Sequence, residues 1–118
     1  MTFMSADLSS LDAANLVDIS GLFCNCTSLK SVDLSNNSFD NVKYAYSLFK
    51  GCESLEYVNI SSLYLGKASL DCSSMFKGCK NLMHIEFSEI STEIKENIGS
   101  LLSDCPKLAY LDLFNFKY

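Results

Sequence analysis

The sequence predicts an α/β fold: a right-handed solenoid in which about five parallel strands are joined by short helical returns. Three observations carry this. Cys26, Cys52, Cys79 and Cys105 are spaced by 26, 27 and 26 residues, within the ~20 to 29 residues at which strand-and-return units recur. Each cysteine follows an apolar pair (Leu22-Phe23, Leu48-Phe49, Met75-Phe76, Leu101-Leu102) and precedes a leucine by three (Leu29, Leu55, Leu82, Leu108). After that leucine comes an apolar-x-apolar triplet: Val32-Asp33-Leu34, Val58-Asn59-Ile60, Ile85-Glu86-Phe87 and Leu111-Asp112-Leu113. Alternation with period two marks a half-buried strand.

Taken in chain order, the strands fall near residues 5–9, 31–35, 57–61, 84–88 and 110–114. The first comes from stepping back 26 residues from Leu29, Val32 and Leu34 onto Phe3, Ala6 and Leu8. Between strands, segments 16–23, 42–49, 69–76 and 94–102 place apolar or small residues at helical intervals, with Ile19, Ala45, Cys72 and Ile98 sharing one inward position. The last is the clearest helix, because Ser91 or Thr92 offers a cap ahead of Glu93. The other three are short helices or 3₁₀ turns. No single unit buries its own apolar side, so the units must stack.

Composition agrees with one domain over residues 1–118. The chain is 48% apolar and 19% charged, with one proline, five glycines, eight Phe and six Tyr, which is too apolar for a disordered segment. Nine lysines, no arginine and a net charge of -5 argue against nucleic acid or anionic lipid as the main partner, since both demand clustered cations. No stretch approaches the ~18 to 20 consecutive apolar residues of a membrane span. The first eight residues lack the basic flank and apolar run of a secretory signal, so they report no export route. Neither end carries a polar cap, and a solenoid requires caps. The expectation is a piece of a longer array, or a homo-oligomer that covers its ends.

The unit Met75-Phe76-Lys77-Gly78-Cys79-Lys80-Asn81-Leu82, echoed by Leu48-Phe49-Lys50-Gly51-Cys52-Glu53-Ser54-Leu55, resembles the BspA-like leucine-rich repeats. The resemblance covers nearly the whole chain. It implies a leucine-rich-repeat solenoid from a surface or secreted protein, associated with adhesion and host contact, with a binding role and no catalysis. Its motif is structural, so it speaks for fold far more than for ligand. Two units depart from it: the connection at Leu63-Tyr64-Leu65-Gly66-Lys67 is irregular, and the last unit lacks both the Phe and the Gly.

Residues flanking each inward pair point to the open face of the sheet. One outward column reads Asp7, Asp33, Asn59, Glu86, Asp112; the other reads Ser5, Ser31, Tyr57, His84, Tyr110. Five rungs ~4.8 Å apart span ~19 Å. The candidate binding residues are therefore Asp33, Tyr57, Asn59, His84, Glu86, Tyr110 and Asp112. They suit a basic or mixed-charge protein segment, or a glycan, with tyrosines supplying stiff contact area. The plain alternative is a solvated outer strand surface with no ligand.

No cofactor is expected. One imidazole among carboxylates is a poor match for zinc or copper, and phosphate loops, nucleophile elbows and zinc-protease helices are all missing from the sequence. The recurring cysteines read as buried free thiols filling a narrow corner, although neighbouring rungs alone do not exclude disulfides. Cys24 aligns with Lys50, Lys77 and Ser103 and so should be exposed. Asn25, Asn36 and Asn59 each begin a glycosylation triplet, and a glycan on Asn59 would block the face. Three functions stay open: a macromolecule-binding module at the cell surface, an architectural spacer, and a cytoplasmic scaffold that unpaired thiols would suit.

Overall fold

The computed structural model describes residues 5–7, 14–63, 70–87 and 98–110. Strands β1 (Ser5–Asp7), β2 (Ser31–Asp33), β3 (Tyr57–Asn59) and β4 (His84–Glu86) form one sheet in the order β1-β2-β3-β4. All three pairings are parallel, and their register sets Ser5, Ser31, Tyr57 and His84 side by side, with Asp7, Asp33, Asn59 and Glu86 two residues further on. Residues one repeat apart are thus lateral neighbours.

Each strand is three residues long, shorter than expected. For β2 and β3 the reason is local: the side-chain Oδ1 of Asp33 accepts the Ser35 amide at 2.9 Å, and that of Asn59 accepts the Ser61 amide at 3.0 Å. Such Asx turns bend the chain out of the extended conformation. The fifth strand expected at 110–114 begins differently, since Tyr110 closes a 3₁₀ helix, Pro106–Tyr110. The remainder of that strand lies outside the described residues.

The returns correct the expectation of helices. Among the described residues the sole α-helix is α1 (Ile98–Leu101), inside the segment expected to be most helical. Elsewhere successive amides alternate between two kinds of partner. The amides of Ile19, Gly21, Phe23 and Asn25 donate to the carbonyls of Tyr44, Tyr46, Leu48 and Lys50 in the next coil at 2.8–3.0 Å. Those of Leu22, Cys24 and Cys26 donate three residues back, to Ile19, Gly21 and Phe23. The next coil repeats the scheme, with Ala45, Ser47, Phe49 and Gly51 donating to Asp71, Ser73, Met75 and Lys77. An α-helix satisfies its amides within itself; these returns satisfy half of theirs between coils.

Backbone conformation explains why. Gly21, Ser47 and Ser74 have positive φ, and so do Asn25, Gly51, Gly78 and Asp104. Two left-handed residues in each of the first three returns interrupt any right-handed helix, whereas the fourth, which holds α1, has Asp104 alone among the described residues. The second column holds only Gly, Asn and Asp, the residues that tolerate this region best.

The interior is a set of apolar ladders. Leu29, Leu55 and Leu82 are completely buried, beside Val32, Val58 and Ile85 from the strands and Ile19, Ala45 and Cys72 from the returns. Phe23, Phe49 and Phe76 stack with ring centroids 5.4 Å apart at both steps and interplanar angles of 4° and 6°. Burying each ring is worth about 1.5–3 kcal/mol, and each aromatic pair adds about 0.5–1.5 kcal/mol. All six cysteines are free thiols; Cys24 is half-buried, less exposed than its lysine-aligned position suggests, and the others are buried. In three successive coils the thiol donates to the phenylalanine carbonyl one coil back: Cys52 to Phe23 at 2.9 Å, Cys79 to Phe49 at 3.1 Å and Cys105 to Phe76 at 2.9 Å. A thiol here fills the corner and also provides a weak donor that an alanine lacks.

Burial pushes the Cys52 thiol up from 9.0 to about 12, and burial aided by the Asp71 charge pushes Cys72 to about 11. The folded state holds these protons more tightly than the unfolded chain, so their contribution to stability is full below pH 9 and is lost as pH rises toward 11 and 12. The denaturation midpoint should fall between pH 9 and 11, and fall less in a Cys52→Ala, Cys72→Ala variant, as read by urea titration at each pH. Gly78→Ala should cost about 1–2 kcal/mol, the penalty for a side chain in the left-handed region. Gly51→Ala should cost more, because the added Cβ overlaps the Asn25 side-chain oxygen and forces that carboxamide to rotate away. Adding Asn25→Gly should recover the excess in the same denaturation assay.

Candidate binding face

The open side of the sheet is built by strand alternation. Val58 and Ile85 point inward and are buried, which turns Tyr57, His84 and Glu86 outward. Tyr57 and His84 occupy neighbouring rungs, and their rings stack with centroids 5.5 Å apart and an interplanar angle of 1°. His84 Nε2 lies 3.3 Å from Glu86 Oε1. Both side chains are more than half exposed, so this pair orients the imidazole and adds little stability.

The structure brings Asp33, Tyr57, Asn59, His84 and Glu86 onto this face in the expected order. Tyr110 closes the 3₁₀ helix, and Asp112 lies outside the described residues. Asp33, Asn59 and Glu86, aligned across the sheet, use their side chains differently. Asp33 Oδ1 accepts both the amide of Ser35 and its hydroxyl, the latter at 2.5 Å. These bonds, the hydroxyl first, hold the Asp33 carboxyl below its ordinary value. Asn59 Oδ1 accepts the Ser61 amide and hydroxyl in the same way, the hydroxyl at 2.7 Å. Glu86, one methylene longer, reaches His84 instead.

The same device recurs on a second edge. Asp18, Tyr44 and Asp71 are aligned by parallel bridges; Asp18 Oδ1 accepts the Ser20 amide at 2.8 Å, and Asp71 Oδ1 the Ser73 amide and hydroxyl at 3.1 and 2.8 Å. The signal in the sequence is the recurrent Asx-x-Ser triplet: Asp18-Ile19-Ser20, Asp33-Leu34-Ser35, Asn59-Ile60-Ser61 and Asp71-Cys72-Ser73. Reading columns for charge alone passes over it. The second edge also exposes Tyr44 and Tyr46, which a search restricted to the strands misses. Among the described residues, no three His, Cys, Asp or Glu side chains converge as metal ligands.

The repeating geometry coincides with a family model. The BspA type leucine rich repeat region matches residues 2–116 in six copies. The chain belongs to this family. BspA-type repeats are generally non-enzymatic, are common in protein-interaction or surface regions, and are typical of bacterial surface proteins. No curated protein and no solved structure matches the chain. Among the described residues no helix is long and apolar enough to cross a membrane. For this BspA-type repeat, the sheet face is an outward surface on which chemically distinct side chains are held in register.

The Asx turns separate structure from charge. Asp33→Ala should lower stability by about 0.5–1 kcal/mol, the net worth of an ordinary hydrogen bond. Asp33→Asn should leave stability within a few tenths of the parent, because Asn59 already makes the same turn one rung away. Thermal melts of both variants check this.

Proposed function

We propose that the chain is a single right-handed leucine-rich-repeat solenoid over residues 1–118 that binds another protein through its sheet face, as part of a surface or secreted protein engaged in adhesion or partner contact. The face comprises Asp33, Tyr57, Asn59, His84 and Glu86, with Tyr110, at the end of a 3₁₀ helix, and Asp112 as further candidates from the sequence columns. The observation that carries the reading is the Tyr57–His84 stack, two rings held parallel and outward by neighbouring strands. Pre-ordered aromatics lose little entropy on binding and supply most of the contact energy in protein interfaces. A right-handed path is the hand that parallel crossover connections adopt.

A second reading, the architectural spacer, is favoured by the Asx turns. Asp33 and Asn59 each already devote one side-chain oxygen to the fold, so the polar column has a structural reason to exist without a ligand.

The readings separate on a partner isolated from the native surface and measured by calorimetry. A Tyr57→Ala, His84→Ala double variant should lose at least tenfold in affinity, while Tyr44→Ala, Tyr46→Ala on the other edge should not. Loss only in the Tyr44→Ala, Tyr46→Ala variant would move binding to the other edge, and full affinity in both variants would remove the sheet-face reading and leave this face with its structural role alone.

A further inference from the structure

The aromatic column of the sheet face is incomplete, and its gap has a definite shape. In register across the sheet stand Ser5, Ser31, Tyr57 and His84. His84 covers one face of the Tyr57 ring at 5.5 Å. On the opposite side the lateral neighbour is Ser31, a hydroxymethyl group too short to cover a phenol ring, and Tyr57 stays 36% exposed. Rungs lie about 4.8 Å apart, so a planar group standing on edge above Ser31 would lie within stacking distance of the uncovered ring face.

Asp33 sits in the same strand, two residues beyond Ser31 and on the same side of the sheet. Its Oδ1 is engaged by Ser35, and Oδ2 has no partner among the described residues. At the other end of these two rungs Lys30 and Glu56 are adjacent and opposite in sign, while the register sets Asp33 between Asp7 and Asn59. The chain carries a net charge of -5 and no arginine of its own.

We propose that this slot, formed by the free face of Tyr57, Ser31 and the Asp33 carboxylate, receives an arginine side chain of a bound peptide. The proposal rests on the protein-binding reading and names the chemistry it would recognise. A guanidinium is planar, stacks on a tyrosine face and donates along its edge to a carboxylate. Stacked on Tyr57, it extends the Tyr57–His84 pair by one rung while its edge reaches Asp33 Oδ2 and the Ser31 hydroxyl. An ammonium is compact and strongly hydrated and fills no slot of this shape.

The test is an NMR titration of the intact chain with three blocked tetrapeptides: all arginine, all lysine, and all citrulline, which keeps the planar shape without the charge. The arginine peptide should shift the Tyr57 ring protons and the amides of residues 31–33, and bind at least fivefold tighter than the lysine peptide. Citrulline should bind weakest. Asp33→Asn, which keeps the turn, and Tyr57→Ala should each weaken the arginine peptide about tenfold, with circular dichroism confirming that both fold. Equal binding of arginine and lysine peptides, indifference to Asp33→Asn, or shifts centred on Tyr44 between Asp18 and Asp71 would overturn the proposal.

The two readings fail separately. Absence of these shifts, with partner affinity still lost in the Tyr57→Ala, His84→Ala variant, removes the slot and leaves the face. Arginine binding as described, with partner affinity unchanged in that variant, keeps the slot and removes the face.

Discussion

The constraint on which everything else depends is that each coil leaves its backbone polar groups for the next coil to satisfy. In the strands this is ordinary parallel pairing. In the returns it is less usual: alternate amides reach across to the neighbouring coil while the others close i to i−3 turns. A buried amide without a partner costs about 1–3 kcal/mol, so a coil with no neighbour would carry several such losses together with an uncovered apolar side. Equal spacing between the paired segments, from return to strand, follows as a requirement, because an extra residue there would put donors opposite donors. The stacked phenylalanines and the thiol-to-carbonyl bonds are the side-chain counterpart of the same lateral register.

Among the described residues the inward columns were legible because their side chains repeat in chemistry as well as spacing: leucine over leucine, phenylalanine over phenylalanine, cysteine over cysteine. The returns were not, since apolar residues at 19, 22, 23 and 26 fit a helical period equally well. What decides against a helix is backbone handedness, and its trace is subtle. Asn25, Gly51, Gly78 and Asp104 look unrelated by polarity, yet they are the residues that accept positive φ most readily. Strand length was overestimated for a similar reason, because a serine two residues after Asp or Asn reads as a polar strand position until the Asx turn is drawn. Of the candidate face, the order of residues was legible; the occupation of Asp33 and Asn59 by their own serines was not.

That occupation shapes what the face offers. A carboxylate or carboxamide tied back by an amide and a hydroxyl is held in one orientation, which leaves the second carboxylate oxygen of Asp33, an acceptor, and the amide nitrogen of Asn59, a donor. The aromatic pair is likewise fixed, each ring steadying the other between two strands. Order of this kind lowers the entropic cost of meeting a partner, and the fold supplies it as a by-product of its own turns.

The odd step of 27 residues has a location. From Leu34 to Ala45 the chain advances 11 residues, and from Ile60 to Cys72 it advances 12; the additional residue therefore falls in the connection between strand and return. That connection is where the solenoid can change size. Lengthening it leaves both ladders aligned, whereas one extra residue between Cys72 and Ile85 would slide every later donor past its acceptor. Loops that diversify such an array would therefore emerge along one seam, and that seam opens beside the strand ends that carry the outward-facing residues.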